Sequence, residues 1–134
     1  MKLITQDQHD KMLKQGQQNA ECAGGIDFAP VVKLFTPDAN ATWLLTELDP
    51  ENPDLAFGLC DLGYPELGWV SLSELAGVRG AFGLPVERDY HFEGEYPISV
   101  YAKAARHAGT IVTDDRRLAE AKAALDAERQ GGAA

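Results

Sequence analysis

Residues 31–71 read VVKLFTPDANATWLLTELDPENPDLAFGLCDLGYPELGWVS, and their reading decides the fold. Short runs rich in Val, Leu, Phe, Thr and Trp are broken by turn residues at close intervals, the pattern of strands rather than helices. It predicts strands over Val31–Thr36, Ala41–Leu48, Leu55–Asp61 and Glu66–Ser71. Pro37-Asp38-Ala39-Asn40 and Gly63-Tyr64-Pro65 are the turns between them, and Asp49–Asp54, with two prolines in four residues, is a loop. Such short connections admit only antiparallel neighbours, because parallel pairing needs a crossover of a dozen residues or more. In the second strand Trp43, Leu45 and Glu47 alternate with Thr42, Leu44, Thr46 and Leu48, and neither face is polar. It is therefore expected at the centre of the sheet.

Gly83–Phe92 adds an expected fifth strand entered through Pro85. Alternation would set Glu87, Asp89, His91 and Glu93 on one face and Val86, Arg88, Tyr90 and Phe92 on the other. Around the strands the period is helical. Thr5 to about Gln18 opens with the capping box Thr5-x-x-Gln8, and Gly16 weakens its end. A short helix follows Ser71, with Glu74 three residues on and Gly80 as its stop; Pro97 starts another, with Ser99–Ala108 as its body and Gly109 as its end. Thr113 or Asp114 caps a last helix to about Arg129, with Leu118, Ala121 and Leu125 as a thin apolar stripe. The expected class is α+β: an antiparallel sheet of about five strands, an N-terminal helix, a short inserted helix and two C-terminal helices. One domain suits 134 residues, with its core at 31–108, a helix and connector at 1–29, a peripheral helix at 110–129 and a frayed tail at 130–134.

Hydrophobic content of 45% and charged content of 25% are ordinary for a globular chain, and no apolar run reaches the ~20 residues a bilayer requires. The first residues hold no apolar stretch of the kind that directs secretion, so a cytoplasmic location is expected. Cys22 and Cys60 are read as free thiols, Cys60 the more buried. Neither a cofactor nor a metal is expected.

The net charge of −9 is concentrated. Between Leu34 and Val78 there is no Lys or Arg, whereas Asp38, Glu47, Asp49, Glu51, Asp54, Asp61, Glu66 and Glu74 are acidic. Those eight acids account for −8, since the rest of the chain holds 13 acids against 12 bases. A phosphate-binding surface needs cations to displace counterions, so direct nucleic-acid binding by this segment is disfavoured and a protein with a basic surface is the natural partner. Glu47, Asp49, Glu51, Asp54, Asp61 and Glu66, with Trp43 and Trp69 as aromatic anchors beside Tyr64 and Phe57, are the candidate contact residues.

His91 with Asp89 and Glu93 is the candidate for acid/base or metal chemistry, because an imidazole between carboxylates moves protons near neutral pH. Alternate residues of one strand lie about 6.6 Å apart, so no more than two converge readily on one ion. H-x-H, H-E-x-x-H and C-x-x-C spacings are missing, as is any G-x-S-x-G nucleophile. Arg88, on the apolar face, requires a buried partner and is expected to play a structural part, paired with Glu66, Glu74 or Asp61.

The strings VVKLFTP from Val31, TWLLTE from Thr42, AFG from Ala56, ELGWVSLSEL from Glu66 and GLPVERDYHF from Gly83 resemble the domain-of-unknown-function family DUF2958, over Val31 to about Arg106. The resemblance implies a small cytoplasmic protein of plasmids and integrative conjugative elements, sometimes encoded beside or fused to antirestriction-type proteins. It assigns no catalytic residues. The expected function is thus that of a noncatalytic accessory or modulator of a mobile element, with action against host defence as one form of it, working through an acidic face. The alternative is a small metal-dependent or acid/base enzyme centred on His91.

Overall fold

A computed structural model describes residues 3–132. The chain runs α1 (Gln6–Glu21), β1 (Val32–Phe35), β2 (Thr42–Asp49), β3 (Asn52–Asp61), β4 (Pro65–Ser71), α2 (Leu72–Gly77), β5 (Glu87–Arg88), α3 (Ile98–Ala108) and α4 (Asp115–Gly132). The five strands form one antiparallel sheet in the order β4-β3-β2-β1-β5. The α+β class and its helices are as the sequence indicates. No helix among the described residues is long and apolar enough to cross a membrane.

β2 is buried along its length because it lies between β1 and β3 and has helices over both faces. One core joins Met12 of α1 and Leu75 of α2 to Val32, Leu34, Trp43, Leu45 and Leu48. The other joins Leu44 and Leu59 to Tyr101, Ala105 and Leu118 of the C-terminal helices. Leu48 therefore sits with Trp43 and Leu45, not with Leu44 as strict alternation predicts. A bulge at Thr46, between Leu45 and Glu47, inserts one residue and resets the pleat.

The expected Asp49–Asp54 loop is instead a tight turn, and β3 starts at Asn52. Pro53 is tolerated because the register breaks between the pairs Asp49↔Asn52 and Leu48↔Ala56, so its missing N–H falls where the β2 ladder is interrupted. The largest difference is in the fifth strand, which holds only Glu87 and Arg88 opposite Phe35 and Leu34. Asp89 ends it: its backbone N–H still donates to the Lys33 carbonyl, but its side chain accepts the backbone N–H of His91 at 2.9 Å and turns the chain. Asp89, His91 and Glu93 consequently do not share a strand face.

The caps follow the sequence closely. Thr5 and Gln8 form the reciprocal capping box of α1, and the Ser71 hydroxyl accepts from Glu74 N. α2 stops at Gly77, three residues before the expected Gly80. α3 begins at Pro97, whose side chain offers no acceptor; Asp27 of the connector reaches across to bind Ser99 through both its N–H and hydroxyl. Asp114 caps α4 at Arg117 N, and that helix continues through Gln130 to Gly132, where a frayed tail is expected; residues 133–134 lie outside the described part. A buried aliphatic side chain is worth about 1.5–3 kcal/mol, against about 0–1 for an exposed ion pair. Leu118, Ala121 and Leu125 thus hold α4 to α3, more than the Lys103–Glu128 pair that also links them.

Gly16 is buried in the middle of α1, and a Cβ placed on it would stand 1.8 Å from the Leu48 carbonyl oxygen. Rather than weakening the helix end, Gly16 lets α1 lie against the end of β2.

Candidate functional site

The expected contact residues divide by burial. Trp43 is 2% exposed and belongs to the core. Asp61, also 2% exposed, accepts hydrogen bonds from Gly63 N (2.9 Å), Thr110 Oγ1 (3.0 Å) and Ile111 N (3.0 Å), and so ties the β3–β4 turn to the α3–α4 link. Asp54 receives the Ser71 and Ser73 hydroxyls and Ser73 N, hydrogen bonds that hold its carboxyl below the usual range. Trp43 and Asp61 are unavailable to a partner and Asp54 is engaged at the start of α2, which corrects their place among the expected contact residues. Glu51 and Glu66 are exposed, Asp49 is half-buried, and Trp69 is 51% exposed.

What remains is organised along β4, an edge strand. Leu67 and Trp69 alternate along it, and Leu62 and Tyr64 stand exposed at the hairpin that leads into it. Trp69 is steadied edge-on against Phe57, with ring centroids 5.2 Å apart. Glu66 lies opposite Cys60, whose thiol is pushed up to about 11, first by burial and then by the Glu66 charge, so it is a poor nucleophile. Tyr64 belongs to the sequence-based set, whereas Leu62 and Leu67 are absent from it. The alternation of Leu67 with Trp69, and apolar residues inside a Gly-Pro turn, were the available signals.

Glu47 is 4% exposed, and burial raises its pKa above the ordinary 4.5, partly opposed by hydrogen bonds from Asn19 and Thr46. Asn19 Nδ2 donates to both carboxylate oxygens, at 3.1 and 2.9 Å. With Gly16, Asp49, Pro50 and Trp69 these two residues line a hollow of about 210 Å³ where α1 passes the β2–β3 hairpin. Asn19 lies in a polar run that carries no sign of this role.

Because its folded pKa lies above its unfolded one, Glu47 favours the folded state fully below pH about 4.5, and that contribution is lost as pH rises through the raised value. Glu47→Gln removes the buried charge while keeping an acceptor for Asn19. The variant is expected to melt higher than the parent at pH 7.5, with the difference closing near pH 4. A parent that melts higher at pH 7.5 would show that the Asn19 and Thr46 bonds outweigh burial.

Asp89, His91 and Glu93 do border one shallow hollow of about 230 Å³, together with Glu95, Tyr101 and Asp115. Asp89 also pairs with Lys33 at 3.6 Å, and its hydrogen bond to His91 goes to the backbone, not to the ring. No group of three His, Cys, Asp or Glu side chains among the described residues is placed to hold a metal ion. Arg88 differs from the expected ion pair with Asp61, Glu66 or Glu74: its Nη1 donates to the Leu3 carbonyl at 2.8 Å and its guanidinium lies over the Tyr90 ring at 5.0 Å. It links Leu3, ahead of α1, to β5.

A family model described as a protein of unknown function, DUF2958, matches residues 3–112. No curated protein and no solved structure matches the chain.

Proposed function

Since the chain belongs to the DUF2958 family, through a match that takes in α1, the whole sheet and α3 and reaches beyond residues 31–106, we propose that it is a noncatalytic accessory or modulator of a mobile genetic element, working by contact with a protein partner along β4. One observation carries this reading: an edge strand with exposed Leu67 and Trp69, continued by Leu62 and Tyr64 at its hairpin, lies in a segment with Glu66 and Glu51 exposed and no Lys or Arg from Leu34 to Val78. Edge strands accept extended segments through main-chain hydrogen bonds, aromatic residues anchor such contacts, and acidic fields steer basic partners. The partner is therefore a protein with a basic, extended segment. The second reading, an acid/base enzyme around His91, draws support from the hollow that Asp89, His91 and Glu93 share, but the Asp89 carboxylate holds the His91 backbone N–H and not its ring.

The test is capture from the native host with the full chain, the triple variant Tyr64→Ser, Glu66→Lys, Trp69→Ala, and an α4 control, Glu120→Gln. The parent and the control should retain one partner with a basic segment, while the triple variant loses it by about ten-fold or more, as expected for removal of an aromatic anchor. Capture should also weaken with added salt. Equal retention of that partner by the triple variant overturns the reading.

A further inference from the structure

We propose that the hollow between the end of α1 and the β2–β3 hairpin receives the guanidinium head of an arginine on the protein partner, with Glu47 as its counter-ion and Trp69 as its flat wall; this rests on the protein-contact reading above. The polar groups around Glu47 are already committed. Asn19 holds the carboxylate through Nδ2 while its Oδ1 accepts Ile26 N at 3.1 Å, and Gln15 Nε2 donates to the Thr46 carbonyl at 2.6 Å. Asp49 Oδ1 accepts Glu51 N at 2.9 Å. No Lys or Arg among the described residues pairs with Glu47 or Asp49, so two carboxylates line the hollow without a cation from the described residues.

A buried carboxylate is costly unless it is paired. Glu47 has only neutral partners, the Asn19 amide and the Thr46 side chain, and its two oxygens keep acceptor capacity for a fork of N–H donors. Trp69 lines the same space, half-exposed, with its ring steadied by Phe57. A carboxylate beside an indole face suits guanidinium better than ammonium: it is planar, stacks on aromatic rings, gives up water more readily and matches a carboxylate in two-point contact. About 210 Å³ has room for that head and part of its stem. Trp69 belongs both to this hollow and to the β4 edge, so a segment laid along β4 brings a side chain within reach of Glu47.

The test needs no partner. N-acetyl-L-arginine methylamide is titrated into the full chain and followed by NMR at the Trp69 indole N–H and the Asn19 side-chain amide, with the lysine and citrulline analogues as comparisons. Expected are saturable shifts with the arginine probe, weaker ones with lysine and none with the neutral citrulline isostere. Glu47→Gln should weaken arginine binding about ten-fold or more, the factor associated with one lost charge-assisted hydrogen bond. Trp69→Ala, at an exposed position, should weaken it in the same sense, and it carries the test should Glu47→Gln fail to fold. The inference is overturned by an arginine titration without saturable shifts at these groups, by equal response to citrulline, or by unchanged affinity in Trp69→Ala. Loss of the partner from the β4 variant with a silent arginine titration leaves the contact reading standing and removes this one. Arginine binding with partner capture unaffected by the β4 changes removes the contact reading and, with it, the partner as the source of the arginine, leaving only a site for free guanidinium.

Discussion

Gly16→Ala should cost about 3 kcal/mol or more, although alanine is the better helix former by about 1 kcal/mol. The two effects oppose each other and geometry decides between them. The added Cβ would lie 1.8 Å from the Leu48 carbonyl oxygen and 3.0 Å from its carbon, and both atoms belong to the backbone of a central strand that cannot swing aside. α1 must then move outward by more than an ångström. That motion takes Gln15 away from the Thr46 carbonyl, stretches the bond from Asn19 to Glu47, and opens the contact of Met12 with the core. Denaturant unfolding followed by circular dichroism measures the loss. An equal or raised midpoint for Gly16→Ala would mean that helix and sheet are not in close contact there.

The second large effect is at Asp61. Asp61→Ala removes a buried carboxylate and leaves the Gly63 and Ile111 amides and the Thr110 hydroxyl without their acceptor at a partly buried corner, an expected loss of about 2 kcal/mol. Asp61→Asn keeps the shape and one carbonyl oxygen, so it should cost about half as much. Amide hydrogen exchange separates this role from that of a contact residue. Both variants should speed exchange at Ile111 and Gly63 while partner capture stays near that of the parent. Unchanged stability together with lost capture would return Asp61 to the contact surface.

These two residues also mark how far the sequence can be read. The β1 to β4 meander was legible because its turns are short and chemically explicit, and both side-chain N-caps expected at Thr5 and Ser71 are present. The fifth strand was not, because alternation from Val86 to Phe92 imitates a strand; the decisive event, Asp89 turning its side chain onto the His91 amide, is local and leaves no periodic trace. Among site residues, Trp43 and Trp69 look alike as tryptophans in strands. Their fates differ because β2 is central and β4 is an edge, a matter of strand order that spacing alone does not reveal. A count of acids likewise says nothing about direction: Asp61 points into a corner, Glu47 into a hollow, and Glu66 to solvent. The Thr46 bulge beside Glu47 had no signature.

An open strand is also a template for copies of the same molecule. Two copies meeting edge to edge at β4 would bring Glu66 of each near the acids of the other, in a stretch where neither supplies a lysine or arginine in return. Repulsion of like charges makes self-pairing the poorer choice, whereas a basic strand meets no such barrier. On the proposed reading, the acids that favour a basic segment would also disfavour the pairing of two copies through the same strand.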